Sequence, residues 1–110
     1  MAIIIITEEP RWLLNEIYEE LDDDNIRTWI YDKERDLTHS PKQWKNLAWM
    51  RPKIRKGRLI FNIIAGEDIL SKRVYGVYHG RLIEMLLTHF DVDIDKLYAT
   101  PQPSVGDIIE

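Results

Sequence analysis

Hydrophobic and polar positions change period several times along this chain, and each change predicts an element. Ile3 to Ile6 is an unbroken β-branched run, the pattern of a strand buried on both faces and hence central in its sheet. Thr7 stands where an N-cap would, followed by Glu8, Glu9 and a first-turn Pro10, so a helix should start there. At about 100° per residue, Leu13, Leu14, Ile17, Tyr18 and Leu21 share one arc of that helix. Glu16, Glu19 and Glu20 take the other side, together with Trp12. Asp22, Asp23 and Asp24 oppose continuation at the negative end of the helix dipole, and Asn25 suits a left-handed cap.

Ile26 to Tyr31 is β-branched and aromatic, which predicts a second strand. Asp32 to Thr38 is densely charged and reads as a loop, and Ser40-Pro41 predicts the start of a short helix reaching Leu47. Trp49–Ile54 and Arg58–Ile64 flank the turn Arg55-Lys56-Gly57 and read as a hairpin. Pro52 lacks a backbone donor, so the first arm should lie at an edge or begin late. Gly66 breaks the pattern. A long helix then begins between Asp68 and Lys72 and ends near Phe90. Apolar residues cover more than half of its circumference, which predicts a core helix or one with a second buried interface. Gly76 and Gly80 stand four apart on it. Each costs about 1 kcal/mol of helix propensity against Ala, so close approach of another backbone is expected there. Beyond Asp91 come Pro101, Pro103 and Gly106 with scattered apolar residues, of which Leu97 and Tyr98 are placed to dock on the body.

The predicted order is β-α-β-short α-β-β-α, an α+β fold. Residues 1–91 should form a single domain, with a mixed sheet of about four strands and two main helices mainly on one side. Residues 92–110 should form an irregular C-terminal tail, partly docked or mobile. If the first two strands are parallel, they and the helix between them form a right-handed crossover.

Composition narrows the chemistry. The chain has 110 residues and no cysteine, which removes disulfides, thiol nucleophiles and cysteine-ligated metals. The apolar N-terminus has no preceding basic region or cleavage site, and no run approaches the roughly 18 apolar residues of a membrane span. A cytoplasmic protein with no membrane partner is expected.

The net charge of −4 hides a partition. Residues 1–31 carry −6, residues 32–58 carry +6, and residues 59–110 carry −4. From Leu37 to Gly66 there is no acid. Such asymmetry within one domain points to a binding surface, though not to the partner. The candidate binding residues are Trp44, Trp49, Arg51, Lys53, Arg55, Lys56 and Arg58. On a strand Arg51, Lys53 and Arg55 share one face. Cations flanked by indoles suit single-stranded nucleic acid, the charges following the backbone and the rings stacking on bases. They suit an acidic protein equally. Two plainer readings stand beside these: a solvated sheet face guarded against edge pairing, and a basic hairpin lying on the acidic helix (residues 8–24) of the same chain or of a second copy.

A second constellation lies on the last helix. Tyr75 precedes His79 by one turn, and His89 falls within the same apolar arc. The three would line a ligand pocket, with His79 as general base, or else His79 is a hydrogen-bonded core histidine. His89 at a helix C-terminus has the simpler role of opposing the dipole. No metal-ligand spacing stands out, and Asp22-Asp23-Asp24-Asn25 lacks the Gly and Glu of a calcium loop. Phosphate-binding glycine loops and nucleophile elbows are absent. Neither a catalytic residue nor a cofactor is assigned, so enzyme activity is unsupported. The leading expectation is a binding protein that recognises a macromolecular partner through its separated charges, with self-association included. Nucleic-acid binding through residues 49–58 and a pocket at Tyr75/His79 are the alternatives.

Overall fold

The computed structural model describes Ala2–Ile109; Met1 and Glu110, the ends of the two predicted segments, lie outside the described residues. The isoleucine run forms β1 (Ala2–Ile6), and Pro10 opens α1 (Pro10–Asp22). β2 (Trp29–Tyr31) and β3 (Leu37–His39) form a short hairpin, and β4 (Ala48–Arg55) and β5 (Arg58–Ala65) a long one. α2 (Lys72–Phe90), a 3-10 turn (Asp91–Asp93) and β6 (Lys96–Ala99) complete the chain. The strand order is β2-β3-β4-β5-β1-β6, and every neighbouring pair is antiparallel.

The α+β class holds, but the sheet has six strands rather than about four and is antiparallel rather than mixed. The two additional strands are β3, from within the charged segment, and β6, from within the supposed tail. β1 and β2 are not neighbours, because β5, β4 and β3 lie between them. β1 is interior, fifth of six, with β5 and β6 on its flanks. Pro52 pairs with Phe61 on β5, in the stretch of β4 that β3 does not reach, since β3 pairs with β4 at Leu37 and Met50. That half of β4 is an edge, where a missing donor costs nothing.

Core packing explains the layers. Ile3 and Ile5 of β1, Leu59, Phe61 and Ile63 of β5 and Ala48 and Met50 of β4 join Leu13 and Ile17 of α1 and Tyr78, Leu82, Met85, Leu86 and Phe90 of α2 in one buried cluster. Registers place all these strand residues on the same face. Both helices therefore cover one side of the sheet; the other side carries no helix, and there Val105 O and the Asp107 carboxylate accept from the buried Asn62 Nδ2.

Several local expectations change. Thr7 does not cap α1; its Oγ1 donates to the carbonyl of Asp93, and Glu9 occupies the cap position without a side-chain bond. Asp24, not Asn25, takes the left-handed conformation after α1 (φ 64°). No helix forms over 41–47. Trp44 N and Lys45 N both donate to Pro41 O, and Asn46 at φ 65° ends the turn. Gly76 and Gly80 are exposed, and a Cβ at either would meet nothing within 4 Å. Close approaches occur instead at Gly66, where a Cβ would come within 2.4 Å of Asn46 O, and at Gly106, where it would come within 2.6 Å of Asn62 Oδ1.

The C-terminal segment is built into the sheet. After β6, Ile108 adds to β5 just past the end of β1, exchanging bonds with Ile63 O and Ala65 N. The Asp107 carboxylate accepts from Asn62 Nδ2, Ile63 N and Ser104 N at 2.8–3.1 Å. Burial pushes this carboxyl up, but hydrogen bonding to the carboxylate, these bonds included, outweighs it and holds the group below the usual carboxylate range. None of the described helices is long and apolar enough to cross a membrane.

Candidate functional site

The helix-free sheet face collects most of the cations that the sequence singled out. Strand registers line them up in rows across four strands. Lys53, Ile60, Ile4 and Tyr98 form one row, from β4 through β5 and β1 to β6. Arg55, Arg58, Ile6 and Lys96 form the next, and Arg51, Asn62 and Ala2 lie on the other side of the first. Trp49 and Ile64 follow beyond them. The centre is thus isoleucine and the margin cationic. Ala2, Ile4 and Asn62 are buried, Ile6, Ile60, Ile64, Trp49 and Lys53 are half-buried, and Arg55, Arg58, Lys96 and Tyr98 are exposed.

Among the described residues, one strand cation of the predicted set is neutralised by an ion pair. Arg51 donates from Nε and Nη2 to the buried carboxylate of Asp36, the closest approach being 2.9 Å. This forked pair ties β4 to the loop between β2 and β3. Arg35 in that loop stacks 3.8 Å above the Tyr18 ring, and Tyr18 donates its hydroxyl to Arg35 O. Arg51 is therefore a structural residue first. Lys53, Arg55, Arg58 and Lys96 form no ion pair among the described residues, nor does Lys56 in the turn.

The two indoles part company. Trp49 stands on the open face, whereas Trp44 packs against the core cluster and has the Arg73 guanidinium 5.3 Å from its ring. The acidic helix does not cover the basic hairpin of its own chain, because α1 packs on the opposite side of the sheet. Its outward stripe carries Trp12, Glu16, Glu19 and Asp23 at helical spacing. Trp12 is 48% exposed. Half-buried Glu16 is raised in pKa by desolvation and by the nearby Glu19, Glu20 and Asp93 carboxylates.

Tyr75, His79 and His89 are not brought together as a pocket. His79 is 3% exposed, and its Nδ1–H donates to Tyr75 O at 2.7 Å. The Tyr75 ring lies 5.0 Å away and lines a cleft of about 510 Å³ with Gly76, Pro101, Pro103 and Ile109. His79 does not line that cleft. His89 is exposed on the last turn of α2, with Phe90 beside it. A closed imidazole offers no base to a ligand.

Sequence reading missed two clusters. His39, distant in sequence from the other histidines, is buried against Trp29 and Tyr78, and its Nδ1–H donates to Thr28 O at 2.8 Å. Burial pushes its pKa down. Trp29 Nε1 beside it is buried without a partner. The second cluster is Asp32, Glu34 and Asp36, whose carboxylate oxygens lie within 4.8 Å of one another. The alternating acids were its signal. Asp32 Oδ1 accepts from Glu34 N and Asp36 N, and Asp36 is held by Arg51, so two of the three carboxylates are engaged in building the loop. Comparison with protein-family models, curated proteins and solved structures finds no match to this chain.

Proposed function

We propose that this chain is a small cytosolic binding protein without catalytic machinery, which recognises an acidic protein partner on the open face of its sheet. The carrying observation is the pair of rows Lys53-Ile60-Ile4-Tyr98 and Arg55-Arg58-Ile6-Lys96, an apolar centre with unpaired cations around it. An apolar core inside a polar rim is the usual anatomy of a protein interface, and rim cations steer an acidic partner into register. Titration of the 15N-labelled protein with an acidic amphipathic helical peptide, carrying glutamates and one tryptophan, tests the reading. Amide shifts should centre on Ile4, Ile60 and Tyr98, weaken with added salt, and vanish in Lys53→Glu with Arg58→Glu. Shifts confined to other surfaces, or none, would refute it.

Trp49 and Tyr98 on the same face favour a second reading, single-stranded nucleic acid. The acids of α1, placed on the far side of the sheet, do not stand beside these cations. An oligonucleotide that binds more tightly than the peptide, with an affinity that falls steeply with salt, would move the assignment to nucleic acid.

A further inference from the structure

The open face and the outer side of α1 are complementary in charge, apolar content and length. On α1 and its C-cap, Trp12, Glu16, Glu19 and Asp23 follow one another along the stripe that points away from the core. Eleven steps of about 1.5 Å give that stripe about 16 Å. Three inter-strand steps of about 4.8 Å give the face about 14 Å from β4 to β6. We propose that the open sheet face of one copy receives the outer stripe of α1 from a second copy, so that the chain associates head to tail. The inference rests on reading that face as a docking surface for an acidic partner, and it names the partner.

Trp12 is the anchor. It is an exposed indole on an otherwise acidic helix surface, and aromatic anchors in apolar settings carry much of the energy of interfaces. The half-buried Ile6 and Ile60 provide its floor, and Lys53, Arg55, Arg58 and Lys96 flank it on two sides. The carboxylates of Glu16, Glu19, Glu20 and Asp93 crowd one another on the free surface, and a layer of cations relieves that repulsion. A symmetric face-to-face dimer does the opposite, because it sets Arg55, Arg58 and Lys96 of one copy against the same cations of the other. The contact is therefore heterologous, and such contacts close into rings or extend as chains.

Sedimentation velocity from about 10 to about 500 µM should show mass rising with concentration, since an interface of this type is expected in the micromolar range. The dissociation constant should rise about tenfold between roughly 50 and 300 mM salt. Two variants isolate the contact. Arg55→Glu with Arg58→Glu breaks the sheet face and leaves α1 intact. Glu16→Lys with Glu19→Lys does the reverse. Arg55, Arg58 and Glu19 are exposed and Glu16 is half-buried, and circular dichroism checks that both variants fold. Each alone should be monomeric, and their mixture should associate with the two chains alternating, because the parent contact and the doubly reversed contact are both complementary in charge. The chain carrying all four reversals should associate again, because both signs are exchanged. A mixture that stays monomeric, or single variants that associate like the parent, overturns the proposal. If the mixture fails while the acidic peptide still shifts Ile4 and Ile60, self-docking falls and the docking face stands. If the peptide fails as well, both readings fall.

Discussion

Replacing Gly76 and Gly80 by alanine should stabilise this protein. Both residues lie inside α2, both are exposed, and a methyl group built on either meets nothing within 4 Å. Neither has a positive φ. Glycine loses more backbone entropy on folding than alanine, so each change is worth about 0.5–1 kcal/mol. The two methyl groups share no contact partner, so the gains should add to about 1–2 kcal/mol. For a 110-residue chain, unfolding entropy near 2.1 cal/mol/K per residue converts 1 kcal/mol into about 4 °C, so the double variant should melt about 4–8 °C higher. Thermal and urea unfolding followed at 222 nm would measure this, with the urea midpoint raised and the slope unchanged. Gly66→Ala is the internal contrast. Its Cβ would fall 2.4 Å from the backbone oxygen of Asn46, and a loss of about 2 kcal/mol or more is expected. A double variant that melts lower or unchanged would refute the reasoning that the Gly76/Gly80 side of α2 is open in the free chain.

Three further outcomes are expected. Arg51→Ala should cost about 2–3 kcal/mol in urea unfolding, because it leaves the Asp36 carboxylate buried without its forked partner, and Asp36→Ala added to it should cost less than the sum of the two. His39 has a folded pKa below its ordinary 6.5. As pH falls through 6.5 the unfolded chain takes up the proton first, so stability is full above that value and declines below it until the folded form also protonates; the part of the acid slope due to this residue should vanish in His39→Asn, which keeps a donor toward Thr28. Asp107→Ala should speed hydrogen exchange at Ile108, whose amide donates to Ile63 O, since the carboxylate helps tie the C-terminal segment to β5.

The legible parts of the fold were the long ones. β1, α1, the β4–β5 hairpin and α2 each repeat a hydrophobic period or a β-branched run over enough residues to stand out. β3 and β6 have three and four residues, too few for any period. Their sequences, Leu-Thr-His beside five charged residues and Lys-Leu-Tyr-Ala after Asp95, carry no strand signature. They are strands because a partner offers its free edge: Met50 to Leu37, and Ile3 to Ile6 to the segment Lys96–Ala99. The glycines show the same limit. Their positions are plain in the sequence, but Gly66 and Gly106 have neighbours pressed against them while Gly76 and Gly80 do not, and nothing local separates the two kinds.

The candidate surface divides in the same way. The sequence by itself determined that a cationic stretch lies between two acidic ones, that Lys53 and Arg55 alternate onto one face, and that α1 has an acidic outer side, because these properties follow from charge and local period. Only the tertiary structure decided which cations remain unpaired. It gave Arg51 to Asp36, sent Trp44 to the core, closed solvent off from His79, and brought Lys96 and Tyr98 from the C-terminal segment onto the face beside Ile4 and Ile6. It also set the acidic helix on the far side of the sheet. The physical reason is that pairing across a sheet and packing of layers join residues tens of positions apart, and no local pattern along the chain encodes that choice of neighbour.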